Sequence, residues 1–395
     1  MPWRRMEPMD QRIRLVADWK ESEYCITDLA RKYGVSRKTT HKWILRYQEE
    51  GIDGLKEKSR APKEQPNRTK ENLISALIEE KYRHPKWGPK KVIAFLKRKR
   101  PKEAWPVAST AGEWLKRAGL TRKRKLRRRV SPYSEPFEKC DFPNDIWSAD
   151  YKGQFKTRDR KLCYPLTISD NASRYLLACK ALEGPRHKET KETFERVFKE
   201  YGLPMAIRID NGTPFAGRNV GGLSRLSVWW IKLGIIPERI DKGKPQQNGR
   251  HERMHRTLKE EAVTPSAMNL KEQQEKFDWF RIGYNEDRPH EALGQKPPIS
   301  VYGRSRREYI ENSRMPEYDL DFSVRCVRRR GQIKFKGNLY FLTHVLGGER
   351  VGLKETAEDK WQINFSFQPI GSLDLRKGKI EPIKNSRKVL PMSPV

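Results

Sequence analysis

The fold is decided by residues 243–260, which have the sequence GKPQQNGRHERMHRTLKE. The first half is rich in turn-forming glycine, proline and asparagine. In the second half Met254 and Leu258 lie four residues apart, the spacing of an apolar stripe on a helix. Glu252 falls in the first turn of this predicted helix, and Lys259 lies within about 20° of the same face after two turns. The stretch therefore predicts an acidic side chain presented by a helix that a hydrophobic core holds in place.

The composition indicates several domains and an anionic partner. A chain of 395 residues is too long for one small domain. It has 84 Lys and Arg residues against 51 Asp and Glu residues, a formal net charge of +33. Such a surface binds polyanions through counterion release. A cationic surface that only aids solubility is the alternative, but the basic residues cluster as they do in nucleic-acid binders.

Cysteine and histidine usage argues against a disulfide framework and a zinc site. The five cysteines are odd in number and contain no C-x-x-C pair, which fits a reducing cytosol. Residues 251–255, HERMH, formally match the zinc-protease pattern, but no third ligand is apparent. No apolar run approaches the ~18 residues of a membrane span, and no secretory signal is present. We expect a cytoplasmic, nucleoid-associated protein without membrane contact.

Residues 1–60 predict a helix-turn-helix DNA-binding domain. Gly34 permits the turn, and Ser36 can cap the helix that follows. In a helix-turn-helix the second helix enters the major groove. The predicted DNA contacts on that helix are Arg37, Lys38, Thr40 and His41. The alternative is an ordinary helical hairpin with a solvated basic face.

Residues 61–130 predict a second helical DNA-binding unit that ends in a basic linker. The unit has three candidate helices, and the linker is the densest positive block of the chain. Such a block is usually mobile until it meets a polyanion. The predicted phosphate contacts in it are Arg124, Arg127 and Arg128. A solvated tether is the alternative.

The rest of the chain predicts an α/β domain followed by a small all-β domain. Residues 140–305 follow the order strand, strand, strand, helix, strand, helix, strand, helix, which indicates a mixed α/β layer. Short strands with glycine-containing turns predict a small β-barrel over residues 318–378. Residues 379–395 are expected to be a flexible basic tail.

Three carboxylates in the α/β region are candidate metal ligands. Asp150 lies in a β-type run, Asp210 ends a short apolar strand, and Glu252 begins the helix described above. Hard oxygen ligands suit Mg²⁺ or Mn²⁺, and two such ions can stabilise the attacking and leaving oxygens of phosphoryl displacement. Each acid also has a structural alternative: Asp210 can start a turn, and Glu252 can favour the helix dipole. Asp170 is a rival first carboxylate, although its Asp-Asn-Ala-Ser setting favours a hairpin turn.

Five motifs in order resemble one known family. They begin at Trp147, Asp170, Asp210, Gly243 and Tyr284, and read WSADYKG, DNASRYLL, DNGTPF, GKPQQNGRHERMHRTLK and YNEDRPHEAL. The chain resembles insertion-sequence transposases of the DDE type, which have a ribonuclease-H-like catalytic core like that of retroviral integrases.

The resemblance implies a function and a set of site residues. It implies cleavage at transposon ends, followed by attack of the released 3′-hydroxyl on target DNA. Asp150, Asp210 and Glu252 would be the catalytic and metal-binding triad, with two Mg²⁺ or Mn²⁺ ions. Lys259 would contact DNA near the active site, and we also expect DNA contacts from Lys244, Asn248 and Arg253. Two ends must be held together, so a homodimer or a higher assembly on double-stranded DNA is expected.

One departure and two alternatives belong with this prediction. The His-His-Cys-Cys zinc module of retroviral integrases is absent from the sequence before the core, which favours a bacterial-type transposase. A DNA-binding regulator with an inactive core is the first alternative. A structure-specific nuclease on the same fold is the second.

Overall fold

The computed structural model describes residues 7–21, 24–58, 69–121, 140–217, 220–241, 245–311 and 315–382. The chain divides into two compact units, Met1–Arg68 and Thr69–Val395. Within the described ranges no helix combines the length and the apolar character needed to cross a membrane. The basic block that holds Arg124, Arg127 and Arg128 lies outside the described residues, as does Lys244.

The first unit is a three-helix bundle. Its helices are α1 (Pro8–Lys20), α2 (Ile26–Lys32) and α3 (Arg37–Glu50), followed by a 3₁₀ turn at Gly51–Leu55. Leu29 and Trp43 pack in a common core. Gly34 has a positive φ of 64° between α2 and α3, a conformation that glycine adopts without strain. Ser36 Oγ accepts from the Thr39 amide at 3.1 Å and caps α3, so the predicted helix-turn-helix geometry is present.

The second unit begins with three more helices, α4 (Glu71–Arg83), α5 (Pro89–Lys99) and α6 (Ala108–Arg117). Leu77, Val92 and Leu115 meet in their core. Arg98 Nη2 donates to the backbone carbonyls of Glu286 and Asp287 at 3.2 and 3.0 Å. This helical bundle therefore contacts the α/β core directly.

The centre of the second unit is the predicted mixed sheet. Its strands are β1 (Ile146–Tyr151), β2 (Phe155–Lys156), β3 (Leu162–Asp170), β4 (Leu176–Leu182), β5 (Ala206–Ile209) and β6 (Ile236–Arg239). β3 pairs antiparallel with β1, β2 and β4. β5 lies between β1 and β6 and is parallel to both. The antiparallel strands β1–β4 thus continue into β5 and β6, which run parallel to β1, and the sheet is the mixed layer that the order of elements predicted.

Helices cover both faces of this sheet. On one face α7 (His187–Tyr201) and α8 (Arg225–Lys232) contribute Phe198 and Trp230 to a core that includes Ala149 and Ile209. On the other face lie α9 (Gly249–Leu258) and α10 (Leu270–Ile282), whose apolar residues pack on β3 and β4. Side chains alternate between faces along a strand. The residues that follow Ala149 and Ile209 are therefore directed to the α9 side.

The C-terminal region is a two-layer β structure and not the predicted barrel. Strands β7 (Ser323–Cys326), β10 (Arg350–Ala357), β11 (Lys360–Phe365), β12 (Gln368–Asp374) and β13 (Lys379–Glu381) form an open antiparallel sheet with β7 and β13 at its edges. β8 (Gln332–Phe335) and β9 (Asn338–Phe341) form a separate hairpin.

The packing explains why this sheet stays open. Ile333 and Tyr340 of the hairpin share a core with Leu353 and Ile363 of the sheet, and Ile231 of α8 joins them. The apolar face is thus covered by a second layer, and closure is not needed to bury it.

β13 also falls within the predicted flexible tail, so the prediction is wrong for Lys379–Glu381. Residues 383–395 lie outside the described part of the chain.

Candidate active site

Asp150 and Asp210 lie side by side at the end of two adjacent strands. Ala149 of β1 pairs with Ile209 of β5 in parallel register, so the aspartates occupy the next position on each strand. Neighbouring strands are about 4.8 Å apart, and residues in register share a face. Asp150 and Asp210 are 60 positions apart in the sequence, and this single strand pairing brings them together.

Glu252 reaches the same region from the first turn of α9. Burial is the main cause that raises the pKa of Asp150 to about 7, and the negative charges of Asp210 and Glu252 add to it. The Asp150 side chain is 22% exposed, whereas Glu252 is exposed to solvent. Asp150 is therefore close enough to Asp210 and Glu252 for their negative charges to act on it.

The acids fit a divalent cation in chemistry, but they do not form a preassembled cage. Within the described ranges no group of three or more His, Cys, Asp or Glu side chains is arranged to hold a metal ion. Carboxylates that repel one another in a desolvated site are relieved by a cation. Hard oxygen donors select Mg²⁺ or Mn²⁺. Movement of the exposed Glu252 side chain would be needed to complete such a site.

The loop after Asp210 depends on a glycine. Asp210 Oδ1 accepts from the Gly212 amide at 3.0 Å, and a Cβ at Gly212 would lie 2.8 Å from Asp210 Oδ2. Asn211 Nδ2 donates to the Ile240 carbonyl at 2.8 Å and ties the loop to the residue after β6. The Asp-Asn-Gly motif thus forms a turn and also orients the carboxylate, so the two alternatives from the sequence are compatible.

A buried hydroxyl–imidazole cluster connects α9 to the sheet beside Asp150. Thr167 Oγ1 lies 2.7 Å from Nε2 of His251 and 2.7 Å from Nε2 of His255. The same hydroxyl donates to the Asp150 carbonyl at 3.1 Å. Since a hydroxyl has one proton, both rings donate to it. Ser169 Oγ then donates to His251 Nδ1 at 2.9 Å.

Both histidines of this cluster are neutral. Burial lowers the pKa of His251 to about 3. Burial, with smaller contributions from a protonated His251 and from Lys152, lowers the pKa of His255 to about 2. His255 Nδ1 lies 3.9 Å from Asp150 Oδ2, but a neutral ring makes this a contact and not an ion pair. Both nitrogens of His251 are engaged by hydroxyls, so the HERMH run ties α9 to the sheet.

Two further predicted motifs have structural roles. Asp170 is 1% exposed and accepts from the Asn144 amide, the Ser173 amide and Ser173 Oγ at 2.6–2.8 Å. It therefore holds the β3–β4 turn, as its sequence context favoured. Asn285 accepts from the Leu176 amide at 2.8 Å and donates to the Leu176 carbonyl at 3.0 Å, which joins the chain after α10 to β4.

The predicted DNA contacts divide by exposure. Arg37, Lys38 and His41 are exposed on α3, and Arg253 and Lys259 are exposed on or just after α9. The prediction for Thr40 is wrong, because its side chain is fully buried and its hydroxyl donates to the Ser36 carbonyl at 3.3 Å. Asn248 is only 6% exposed at the start of α9, and this burial contradicts a direct DNA contact.

Family models match most of the chain in consecutive segments. Integrase core domain models match residues 141–245 and 233–298. Homeodomain-like domain models match residues 8–56 and 39–115. A model of the IS481 family transposase C-terminal domain matches residues 322–381. The predicted N-terminal helix-turn-helix and ribonuclease-H-like integrase core are confirmed.

Curated relatives include proteins of bacterial insertion elements. The chain is 24% identical over 247 residues to an uncharacterized 31.7 kDa protein of insertion element IS407 from Burkholderia multivorans, covering 61% of this chain and 84% of that protein. It is 25% identical over 194 residues to an uncharacterized 39.2 kDa protein of IS476 from Xanthomonas euvesicatoria, covering 49% and 54%. A baboon endogenous virus Gag-Pol polyprotein is 31% identical over 118 residues, 30% of this chain and 6% of the polyprotein.

Solved structures similar to the chain include a viral integrase core domain and a viral intasome. The HTLV-2 integrase catalytic core domain in complex with magnesium is 16% identical, with a TM-score of 0.33, over 41% of this chain and 98% of that one. A simian T-cell lymphotropic virus intasome in complex with a PP2A regulatory subunit is 14% identical, with a TM-score of 0.38, over 74% and 97%. The resemblance to insertion-sequence transposases with an integrase core is confirmed by the matching family models and by the insertion-element relatives.

Proposed function

We propose that this chain, which has an integrase core between homeodomain-like and transposase C-terminal domains, is a DDE DNA transposase. The observation that carries the proposal is the strand register that sets Asp150 beside Asp210 on the face covered by α9. Glu252 lies on that helix and contributes to the raised pKa of Asp150. An acidic centre in a chain of net charge +33 suits phosphoryl transfer on DNA.

In this proposal Asp150, Asp210 and Glu252 supply the carboxylate oxygens that hold two Mg²⁺ or Mn²⁺ ions. Such ions, when bound, stabilise the attacking and leaving oxygens of an in-line displacement. The chain holds DNA with the exposed side chains of Lys259 and Arg253 near the site, and with Arg37, Lys38 and His41 of α3. Water and then the 3′-hydroxyl are the nucleophiles, so no covalent enzyme intermediate is required.

We also propose an oligomeric state and a cellular location for the protein. Joining two transposon ends to one target requires both ends in one complex, so we propose a dimer or higher oligomer on DNA. The insertion-element relatives from Burkholderia and Xanthomonas support a bacterial cytoplasmic site of action, with association to the nucleoid.

The test is Glu252→Gln, which keeps the size of the side chain and removes its charge. We expect the variant to bind DNA like the wild type and to lose Mg²⁺-dependent cleavage and strand transfer, measured on duplexes that carry the ends of the element. Glu275→Gln, a change of an exposed acid on α10, is the matched control and should keep both activities. Full strand transfer by Glu252→Gln would rule out the assignment.

A DNA-binding regulator with an inactive core is the second candidate. It is favoured by the exposure of Glu252 and by the lack of a preassembled ligand group within the described residues. A shifted band on a gel without any metal-dependent cleavage would support it. A structure-specific nuclease, in contrast, would cut branched DNA and produce no joined products.

A further inference from the structure

Two arginines from different parts of the core converge on the carbonyl oxygen of Asn171, which lies beside Ile146 at the end of β1 opposite to Asp150. Arg174 follows the β3–β4 turn with a positive φ of 65°. Its Nη1 donates to the Asn171 carbonyl at 2.6 Å, and Nη1 of Arg250 in the first turn of α9 donates to the same oxygen at 3.2 Å. A shared acceptor brings the two guanidinium groups close together.

A third arginine belongs to the same cluster. Arg253 follows Arg250 by three residues on α9, a spacing that puts both on one side of the helix. Burial lowers the pKa of Arg174 to about 10, and the positive charges of Arg250 and Arg253 contribute to the shift. The three side chains therefore form one group of like charges, which we call the arginine cluster.

The arginine cluster has no carboxylate counterion among the described residues. The ion pairs of the core elsewhere include Arg208 with Glu238 at 2.9 Å and Arg288 with Glu261 at 2.5 Å, but none involves Arg174, Arg250 or Arg253. Like charges gathered without a counterion repel one another, most strongly where water is partly excluded. A bound anion would relieve this repulsion, and guanidinium groups bind phosphate oxygens in bidentate geometry.

The proposed function indicates which anion the cluster binds, because DNA is the polyanion that this chain of net charge +33 is proposed to hold. Glu252 lies about 200° around α9 from Arg250, so the arginine cluster faces away from the acids. We propose that Arg174, Arg250 and Arg253 together bind a single backbone phosphate of the DNA that this chain holds. This inference rests on the proposed function, and it names the backbone phosphate as the part of the DNA that the arginine cluster binds.

The test is salt-dependent DNA binding by the full chain without metal. A fluorescein-labelled duplex is titrated in EDTA over a series of salt concentrations, and the slope of log K against log salt is measured by anisotropy. Loss of one phosphate contact reduces this slope by about 0.9. We expect Arg250→Gln and Arg253→Gln each to weaken binding on the order of tenfold at low salt. The matched control is Arg196→Gln on α7, which covers the opposite sheet face and should bind like the wild type.

A double variant tests the shared phosphate. If the cluster binds one phosphate, Arg250→Gln/Arg253→Gln loses no more than about one unit of slope, whereas two separate phosphates would cost about two. Arg250→Lys keeps the charge and should recover most of the slope but only part of the affinity. Single variants that match Arg196→Gln in affinity and slope would overturn the proposal, as would a two-unit loss in the double variant.

The outcome is independent of catalysis. Wild-type protein that fails to cleave or join DNA with Mg²⁺, while the arginine variants still reduce the slope, would refute the transposase function and leave the phosphate site standing. Normal strand transfer by the wild type, together with unchanged slopes in the arginine variants, would refute the phosphate site and leave the transposase function standing. Thermal denaturation of each variant verifies that it is folded before binding is measured.

Discussion

Asp150→Asn should stabilise the metal-free protein at neutral and alkaline pH. The pKa of Asp150 is raised from 3.8 to about 7, chiefly by burial and further by the charges of Asp210 and Glu252. The folded state therefore binds this proton more tightly than the unfolded state does. Stability linked to Asp150 is present below its unfolded pKa and is lost as the pH rises through the folded pKa.

The magnitude follows from the size of the shift. A shift from 3.8 to about 7 is roughly three pKa units, and each unit corresponds to 1.36 kcal/mol, so the ionised carboxylate costs about 4 kcal/mol of folding free energy at pH 8. Asparagine has a similar shape and no charge, and it avoids this cost. The gain from Asp150→Asn should fall below about 1 kcal/mol near pH 4, where the folded group is protonated and the unfolded group is near the midpoint of its titration.

The assay is urea denaturation of both proteins in EDTA at pH 8 and at pH 4, followed by tryptophan fluorescence. Trp147 and Trp230 are fully buried in the core of the sheet and report on its unfolding. Asp170→Asn is the contrasting variant. The Asp170 carboxylate accepts hydrogen bonds from two backbone amides and a hydroxyl. The side-chain NH₂ group of asparagine would face one of these donors without an acceptor, so the variant should be less stable. Equal stability of Asp150→Asn and wild type at pH 8, or a gain that does not change with pH, would refute the reasoning.

Two further variants test how the site is held. Thr167→Val removes the hydroxyl shared by His251 and His255 and should cost about 1–3 kcal/mol in urea denaturation; Thr167→Ser keeps the hydroxyl, and an equal loss from both variants would contradict the role of the cluster. Asn285→Ala removes both hydrogen bonds to Leu176 and should cost at least about 2 kcal/mol. Asn269→Ala removes an exposed cap of α10 and should cost about 1 kcal/mol, so the opposite ranking would show that the Asn285 bonds contribute little.

The sequence predicted those parts of the fold that depend on local signals. The turn at Gly34 and the helix cap at Ser36 each depend on residues close to them in the sequence, and both are present in the structure. The order of strands and helices around Asp150 follows from apolar periodicity, and the structure has it in the same order. The proximity of Asp150 and Asp210 follows once their strands are paired in register, and that pairing was expected only through the family resemblance.

Features that depend on distant contacts could not be predicted in this way. His251 and His255 meet Thr167 across 84 and 88 positions, and in the sequence their spacing indicated only a possible zinc motif. Whether a set of short strands closes into a barrel depends on what covers its apolar face. Here a hairpin and α8 cover that face. The strand pattern of the sequence does not show which elements pack on which. The arginine cluster joins a turn and a helix 79 positions apart, so the sequence showed no link between its members, although Arg253 was predicted singly as a DNA contact.

The helix α9 explains why a cationic chain can keep an acidic centre in place. Its buried side holds His251 and His255 against Thr167, and these rings stay neutral, so neither ring supplies a positive charge to Asp150. Its exposed residues include Glu252 on one side of the helix and Arg250 and Arg253 on another. Attraction of a divalent cation to the acids and of a phosphate to the arginines would therefore act through the same short helix. Because the cation and the phosphate also attract each other, each should favour binding of the other, and the hydroxyl–imidazole contacts fix the helix on which both depend.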